Sequence, residues 1–323
     1  MLKILVSLAA ATTLSQPVPI GEIKRLSDQP VLTPRSGQFD CKGAFNPAAC
    51  KRGARTVLLY RAQDAEGVSR VGWAESTDGL HFNASPHPVF EAQTDYERGG
   101  GVEDPRIQKI GSQYYLTYTG YNKVDAQLCL ARSTNLKDWQ RLGIVMPAGK
   151  GSWNVRWTKS GAIVPGKING RYWMYYMGDA KDGTDQMGIA SSPDMVHWQD
   201  ATERPILARR PGMFDAKVVE PGPAPIMTPH GLLLIYNGAD EKLVYRTGWA
   251  LFDKRDPTHL LCRADQPLLQ PDFAWEKEGQ VPNVVFIEGM VKRGANYLLY
   301  YGAADANVGV AEMTLSKSKG SEK

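Results

Sequence analysis

The sequence of 323 residues lacks several motifs that would direct it to a familiar chemistry. It has no glycine-rich phosphate loop, no His-Glu-x-x-His and no Gly-x-Ser-x-Gly turn, which disfavours P-loop nucleotide binding, zinc proteolysis and serine hydrolysis. Its five histidines are scattered and suggest no metal cluster. The formal net charge of only +4 gives no reason to expect a nucleic-acid partner.

Long hydrophobic runs are also missing. The apolar stretch Ile4–Ala11 is too short to span a bilayer. It is typical of a secretory signal whose cleavage zone lies between Ala9 and Ser15. We therefore predict a signal peptide over residues 1–20 and a periplasmic or secreted protein. If this segment is an N-terminal strand instead, the protein is cytoplasmic.

Cysteine is scarce, and four of them cannot form a disulfide scaffold. In an exported protein, Cys41 and Cys50 are near enough in sequence to bridge a loop. Cys129 lies in an apolar segment and is expected to be a small buried residue of a strand.

A repeat organises the chain. Apolar segments rich in aromatic and β-branched residues end on tyrosines at positions 60, 118, 176, 236 and 301. A second marker, an alanine that in the first three repeats precedes a Ser-containing turn, follows at positions 74, 131, 190, 250 and 311. Two markers that keep one period of about 60 residues indicate five structural repeats.

Each repeat carries several short strands separated by Gly, Asn and Asp turns, and helical periodicity is hard to find. Runs of this length are typical of propeller blades. We therefore predict an all-β, five-bladed β-propeller over residues 21–314, with a disordered tail over residues 315–323. A β-sandwich with accidental internal similarity is the alternative.

The residue after each repeated tyrosine differs from one repeat to the next. These residues are Arg61, Thr119, Met177, Asn237 and Gly302. Structural positions of a repeat recur whereas functional positions diverge, and propellers place their innermost strands around a central channel. This ring is therefore where we expect chemistry.

The motif Gly99–Arg106 is the densest in the chain. Its three glycines allow the backbone to approach a ligand closely, and Pro105 favours an extended Asp104. Arg106 could hold one of the adjacent carboxylates and leave the other free to titrate. The alternative interpretation is an Asp-Pro turn with a surface ion pair.

The segments Gly101–Arg106 and Tyr114–Thr119 resemble the signature of glycoside hydrolase family 130. Shorter similar stretches include Phe45–Pro47, Lys159–Ile163 and Tyr300–Asp305, so the resemblance extends from about residue 45 to about residue 311. That family contains β-mannoside phosphorylases and β-mannosidases on five-bladed propellers. Trp and Tyr side chains around such a channel would offer faces for sugar stacking.

The resemblance implies roles for individual residues. Asp104 would be the general acid of an inverting reaction and would protonate the glycosidic oxygen through a sugar hydroxyl. Asn46, Arg61 and Asp305 would hold the sugar at the cleavage site. Charge-assisted hydrogen bonds from Arg and Asp to vicinal hydroxyls suit that task.

The attacking group is either water or phosphate. In phosphorylases of the family, a His is expected after the fourth repeated tyrosine and an Arg beside the third. This chain has Asn237 and Met177 at those positions, which weighs against binding a phosphate dianion. Lys217 and Arg156 could still form a phosphate site, so phosphorolysis remains the alternative.

A hydrolase needs a second carboxylate to activate water. The segment Val219–Pro223 resembles the hydrolase branch of the family, and its Glu220 is the preferred candidate for the base. Glu276 and Glu288 are weaker candidates for base or sugar ligand. The remaining candidate substrate-binding residues are Asn46, Arg61, Arg106, Lys159, Lys217, Asn237 and Asp305.

The sequence therefore predicts an inverting, exo-acting β-mannosidase whose partner is a β-mannoside oligosaccharide. No metal, organic cofactor or membrane span is expected, and inorganic phosphate would enter only as a co-substrate of a phosphorylase. A fructan or arabinan hydrolase would need an Asp in the first blade, where Phe45–Ala48 has none. A non-catalytic sugar-binding propeller is the second alternative.

Overall fold

The computed structural model describes residues 19–149, 151 and 153–316. Its regular structure is almost entirely β-strand, so the all-β prediction is confirmed. The predicted signal peptide lies outside the described residues except for its last two positions, and the predicted tail except for its first two. Within the described residues, no helix is long and apolar enough to cross a membrane.

The strands form three sheets, and a single parallel pairing divides each of the two larger sheets into two antiparallel units, which gives five units along the chain. The first strand, β1 (Ile20–Arg25), pairs with the last one. The first unit contains β2 (Gly43–Arg52), β3 (Arg55–Gln63), β4 (Ser69–Ser76) and β5 (Asn83–Ala84). The second contains β6 (Gly101–Ile110), β7 (Gln113–Tyr121), β8 (Ala126–Ser133) and β9 (Gln140–Met146). The third contains β10 (Asn154–Ile163), β11 (Tyr172–Ala180), β12 (Asp185–Ser192) and β13 (Gln199–Asp200).

The fourth unit contains β14 (Val218–Pro221), β15 (Ile226–Thr228), β16 (Gly231–Ala239), β17 (Tyr245–Phe252) and β18 (Leu260–Arg263). The short helix α1 (Ala274–Lys277) precedes the fifth unit. That unit contains β19 (Val285–Arg293), β20 (Asn296–Ala303) and β21 (Asn307–Leu315), and β1 completes it. The last sheet therefore joins the two ends of the described chain.

The hydrophobic core is divided among five clusters, each between two consecutive units. Leu59 of the first unit packs in one cluster with Leu116 of the second. Leu58, its neighbour, packs in another cluster with Leu298 of the fifth unit. Because both faces of β3 are covered, its central residues form a continuous apolar run instead of alternating with polar ones. The second strands of the other units have the same character.

The repeated tyrosines have a structural task. In the second unit, the Tyr118 hydroxyl donates to Glu97 over 2.7 Å, and Arg141 pairs with the same carboxylate at 2.9 Å. Three more units repeat this tyrosine–carboxylate–arginine bracket: Tyr60–Asp40–Arg35, Tyr236–Asp215–Arg210 and Tyr301–Glu276–Arg25. In the third unit, Tyr176 donates to Asp200 and accepts from Asn154. In four units the bracket ties the strand that carries the tyrosine to the segment just before the unit, which we call the edge of the unit, through buried, satisfied polar groups.

The residue opposite the tyrosine on the third strand is small for a steric reason. A Cβ atom on Gly72 would collide with the Tyr60 ring, and glycine recurs opposite the tyrosines of the third, fourth and fifth units. In the second unit Cys129 takes this place and is fully buried, as its sequence context predicts. Cys41 and Cys50 are free thiols, so the conditional bridge between them is not formed.

Candidate active site

The first strand of four units contains a β-bulge at an equivalent place. The register shifts at Asn46 in β2, at Asp104 in β6, at Ser160 in β10 and at Glu288 in β19. Glu220, beside Pro221 at the end of β14, is the counterpart in the fourth unit. A bulge re-aims a side chain and interrupts pairing. The repeat thus places five polar residues of four types, Asn46, Asp104, Ser160, Glu220 and Glu288, at equivalent positions, and all of them are buried.

The backbone of these bulges is strained. Asn46, Asp104 and Ser160 have φ values of 45°, 49° and 61°, in the left-handed region that residues other than glycine rarely occupy. Asp305, from the loop after β20, has a φ of 51°. Such strain persists only where the surrounding structure holds it, and it gathers at functional sites.

Three of the five bulge-position residues line one cavity, together with Arg61 beside the first repeated tyrosine. The cavity is lined by Asn46, Arg61, Asp104, Lys159, Met177, Asp185, Glu220, Tyr245, Val281, Val284, Phe286 and Asp305. These residues come from all five units and from the loop before β19. The cavity therefore combines paired carboxylates, two cations and aromatic side chains, which is a lining suited to a sugar.

Asp104 is tightly held. Arg61 pairs with its carboxylate at 3.1 Å, and the Asn46 amide donates to the same oxygen over 2.9 Å. Burial opposes ionisation, but the positive charges of Arg61 and Lys159 and the Asn46 hydrogen bond outweigh it and keep the Asp104 pKa below its ordinary value. In the ligand-free site, Asp104 is therefore the ionised carboxylate.

Glu220 has the opposite character. The Ser160 hydroxyl donates to its carboxylate, and Arg106 lies 3.7 Å away. Burial raises the Glu220 pKa to about 7, and the nearby charge of Asp104 adds to that rise. Asp104 and Glu220, two of the four carboxyl groups that line the cavity, thus have pKa values pushed apart, which is the pattern of an acid and base pair.

The other charged groups around the cavity largely form ion pairs with one another. Arg61 also pairs with Glu103 at 2.6 Å, and Lys159 lies 4.0 Å from that carboxylate. Burial raises the pKa of Asp305 to about 6, although Arg61 opposes the rise. The cations of the cavity therefore compensate its carboxylates.

The structure corrects the expected role of Arg106. Its side chain is 1% exposed and does not line the cavity, so it is not placed to bind substrate. The carboxylates of Glu103 and Asp104 form their ion pairs with Arg61 instead. Its guanidinium instead reaches the backbone carbonyls of Asp104, Pro221 and Gly222.

Glu288 is the nearest carboxylate to Arg106, at 3.1 Å, but neither of its carboxylate oxygens has a hydrogen bond within the described residues. Burial raises its pKa well above the ordinary value despite Arg106. Glu288 does not line the cavity that holds Asp104 and Glu220. Its position argues against the candidate role as base or sugar ligand.

Three further candidates lie away from the cavity. Glu276 is fully buried, and its carboxylate pairs with Tyr301 and Arg25 in a bracket, so it has a structural role. The Asn237 amide bonds the backbone of Ile287 and is fully buried. Lys217 is exposed and donates to a backbone carbonyl. None of the three lines the cavity. Their partners are distant in sequence, so local motifs did not reveal them.

Sequence reasoning missed Ser160, Asp185 and Tyr245. Ser160 bonds Glu220, and Asp185 accepts a 2.8 Å hydrogen bond from Trp157 while it lines the cavity. Tyr245 stands at the start of β17, also on the cavity wall. Ser160 could have been found, because the bulge-position residues recur once per repeat and each precedes a Pro or Gly. Asp185 and Tyr245 carry no such signal.

Comparison with known proteins gives a consistent result. The family described as beta-1,4-mannooligosaccharide phosphorylase, glycoside hydrolase family 130, matches residues 25–318. The chain is 38% identical over 309 residues to a 1,2-beta-oligomannan phosphorylase of Thermoanaerobacter sp. (strain X514), covering 92% of this chain and 99% of that protein. It is 34% identical over 314 residues to a beta-1,2-mannobiose phosphorylase of the same strain, with the same coverage.

A solved structure is similar along almost the whole length of both chains. The TM-score is 0.83 at 34% identity, with 96% of this chain and 95% of the other covered. It is described with the statement that the GH130 family of mannoside phosphorylases contains glycoside hydrolases that target β-1,2 mannosidic linkages in Candida mannan. The chain is therefore similar to two proteins named as phosphorylases and to a structure whose description names both phosphorylases and hydrolases.

Proposed function

The chain belongs to glycoside hydrolase family 130, and on that premise we propose that it cleaves β-mannosides with inversion of configuration. The relatives named above act on β-mannosides of the 1,2 and 1,4 types. The strained, carboxylate-lined cavity supports the same chemistry in this chain. The substrate is a β-mannoside oligosaccharide, cleaved from its end, and no metal or organic cofactor takes part.

We infer that the five units are the blades of a five-bladed β-propeller. The five core clusters, each between consecutive units with the last between the fifth and the first, support this arrangement. The cavity would then open at the central channel, where the first strands of the blades meet. A single domain over residues 21–314 follows from the same inference.

In this proposal Asp104 is the general acid, and Asn46, Arg61, Lys159 and Asp305 hold the sugar next to it. Since Asp104 is ionised in the ligand-free site, substrate binding must raise its pKa. A bound sugar excludes water from the carboxyl group, and burial favours the protonated form. Sugar hydroxyls would also compete for Arg61 and Asn46, which now stabilise the ionised form.

Hydrolysis is the reaction that the cavity supports best, and Glu220 is the observation that carries it. It lines the cavity with Asp104, and its pKa of about 7 lies closer to neutral pH than the pKa of about 6 of Asp305, which suits a general base. The cavity also offers little uncompensated positive charge that could bind a phosphate dianion. Of its described lining residues, Arg61 and Lys159 are cationic, and both face Glu103.

Phosphorolysis is the second candidate, because the comparisons favour it. The curated relatives and the matching family are named as phosphorylases, so by name alone phosphate is better supported than water as the attacking group. Phosphate would then be a co-substrate. Of the two basic residues expected from sequence to hold it, Arg156 is 60% exposed and pairs with Asp179, and Lys217 lies outside the cavity.

The products decide between the two candidates. Purified protein is incubated with β-1,2- and β-1,4-mannobiose in phosphate-free buffer and again with inorganic phosphate, and products are followed by anomer-resolving NMR. Release of α-mannose at the same rate in both buffers is the expected result. Strict dependence on phosphate, with mannose 1-phosphate as product, would establish the second candidate. Binding without turnover in either buffer would support a non-catalytic sugar-binding protein.

Export to the periplasm or medium remains a proposal, since the residues that carry it lie outside the described part of the chain. Cell fractionation of the full-length protein, with a variant that lacks residues 1–18 as control, tests it. Recovery of the full-length protein only in the cytoplasm would contradict export.

A further inference from the structure

The Arg106 side chain lies between the two strands that bear the proposed acid and base, β6 and β14. Its Nη1 donates to the Asp104 carbonyl over 3.2 Å. Its Nη2 donates to the Pro221 carbonyl over 2.8 Å, and its Nε to the Gly222 carbonyl over 3.0 Å. One guanidinium thus joins the backbone of β6, in the second unit, to the backbone that follows Glu220 in the fourth.

We propose that Arg106 is a positioning residue that fixes the separation of Asp104 and Glu220 by tying their two backbone segments together. The proposal rests on the inverting hydrolysis proposed above, in which that separation must leave room for a water molecule. The planar fork of arginine presents several donors in fixed directions, whereas lysine offers one point charge on a flexible stem. Arginine can therefore hold both segments in fixed directions, which the flexible ammonium of lysine does less rigidly.

The burial of Arg106 explains how the tie is kept rigid. The guanidinium is 1% exposed, so water does not compete for its donors. Its carbon lies 5.8 Å from the centre of the Phe286 ring. Glu288, which does not line the cavity, supplies an acidic partner at 3.1 Å. In this arrangement Glu288 supports Arg106 and takes no part in the chemistry.

The same position affects the charge around Glu220. The groups that face Glu220 are Ser160 and Lys159 from β10, Arg106 and Asp104 from β6, Glu288 from β19 and Tyr245 from β17. Arg106 is the largest influence that favours the ionised form of Glu220. Arg106→Lys keeps the positive charge but loses the planar guanidinium, whereas Arg106→Gln removes the charge. Comparison of the two variants therefore separates the positioning effect of Arg106 from its electrostatic effect.

The experiment compares Arg106→Lys and Arg106→Gln with Arg141→Lys, a matched change in the Tyr118–Glu97 bracket. Rates are measured on β-mannobiose well below each variant's melting temperature. Arg106→Lys should lower kcat by about 100-fold, since small misplacements of reacting groups cost about that much, and should change KM by less than threefold. The pH at which kcat/KM falls on the alkaline side should be the same in Arg106→Lys as in wild type, because the charge is kept. In Arg106→Gln that pH should be higher, because the charge that favours ionised Glu220 is lost. Arg141→Lys should keep kcat within threefold.

Hydrogen exchange supplies a readout that does not depend on turnover. In the wild-type protein, the amides of residues 101–104 and 218–220 should open with one common free energy, and Arg106→Lys should accelerate both segments together. Arg141→Lys should leave both unchanged. If wild-type protein cleaves no mannobioside, the proposed function fails while hydrogen exchange still decides whether the two segments are tied.

Three outcomes would overturn the proposal. The first is an Arg106→Lys variant that turns over as fast as the wild-type protein. The second is independent opening of the two segments in wild-type protein, which needs no variant to fold. The third is a Glu288→Gln variant that loses turnover and regains it with azide, because Glu288 would then be the base. The expected result for Glu288→Gln is that azide does not restore any turnover that is lost.

Discussion

Glu276 and Glu220 are both buried glutamates beside an arginine, and they differ in how completely they are paired. Glu276 accepts from Arg25, from Tyr301 and from two backbone amides. Glu220 accepts from Ser160 and lies 3.7 Å from an arginine whose donors are directed at carbonyl groups. Full pairing offsets the cost of burying a charge, and incomplete pairing leaves a carboxyl group that titrates near neutral pH.

The same contrast holds between the two positions that the repeat produces. At the edge of the units, the tyrosine brackets place one carboxylate each in a satisfied network. At the bulges of the first strands, polar residues meet neighbours from other units, and their pairing is shared and incomplete. The edge is where the repeat stabilises the fold, and the bulges are where its differences supply chemistry. The predictions below test this division.

Asp104→Asn should have the largest effect and lower kcat by at least about 100-fold, because the proton donor is removed. Asparagine tolerates the left-handed backbone of this bulge, so the fold should be kept. Steady-state kinetics and a melting curve measure the two effects. A variant that retains more than about a tenth of the wild-type turnover rate would remove Asp104 from the acid role, since general acids contribute about 100-fold or more.

Glu220→Gln should lower kcat by about 100-fold with little change in substrate affinity, because the base is lost while the sugar contacts remain. An anion such as azide should restore part of the rate, since it needs no base. The measurement is the initial rate with and without azide. A nearly silent substitution would contradict the assignment of Glu220 and leave β-mannoside cleavage itself in place.

Glu276→Gln makes the same chemical change at the edge and should act on stability instead. It leaves Arg25 without its carboxylate, which should lower the free energy of unfolding by about 3 kcal/mol. Denaturant titration measures the loss, and the folded variant should keep its kcat within threefold of wild type. A selective loss of turnover with unchanged stability would place Glu276 in the reaction and break the division between edge and centre.

The pH dependence of kcat/KM should show a falling limb near pH 7. Asp104, with a lowered pKa, and Glu220, with a pKa of about 7, hold one proton between them below that pH. Raising the pH through 7 removes this proton, so activity should fall about tenfold per pH unit beyond it. Glu220→Gln should abolish the limb. Its persistence in that variant would assign it to another group.

The smallest effect is expected at Lys217. Its ammonium is exposed and donates to the Gly183 carbonyl outside the cavity. Lys217→Ala should leave kcat, KM and any response to phosphate unchanged, as exposed substitutions usually do. A rise in the KM for phosphate would return Lys217 to the site and would favour phosphorolysis.

The sequence by itself determined the repeat and the all-β class, because both depend on residues that recur at a fixed spacing, and it determined the family through local motifs. It also selected Asp104, Glu220, Asn46, Arg61 and Asp305, which the structure gathers around one cavity. Their motifs are local, and the resemblance of those motifs to the family's motifs identified them. Ser160 belonged to the same spacing, but its serine has no conspicuous chemistry until Glu220 is beside it.

Only the tertiary structure decided which charged groups are paired with which. Arg106 adjoins Asp104 in sequence yet bonds carbonyls from two units, and Glu276 is neutralised by Arg25 from the opposite end of the described chain. Whether a buried carboxylate stabilises or reacts depends on the number and charge of its neighbours. Those neighbours come from other repeats, and their approach is set by how the repeats pack, which no local pattern records.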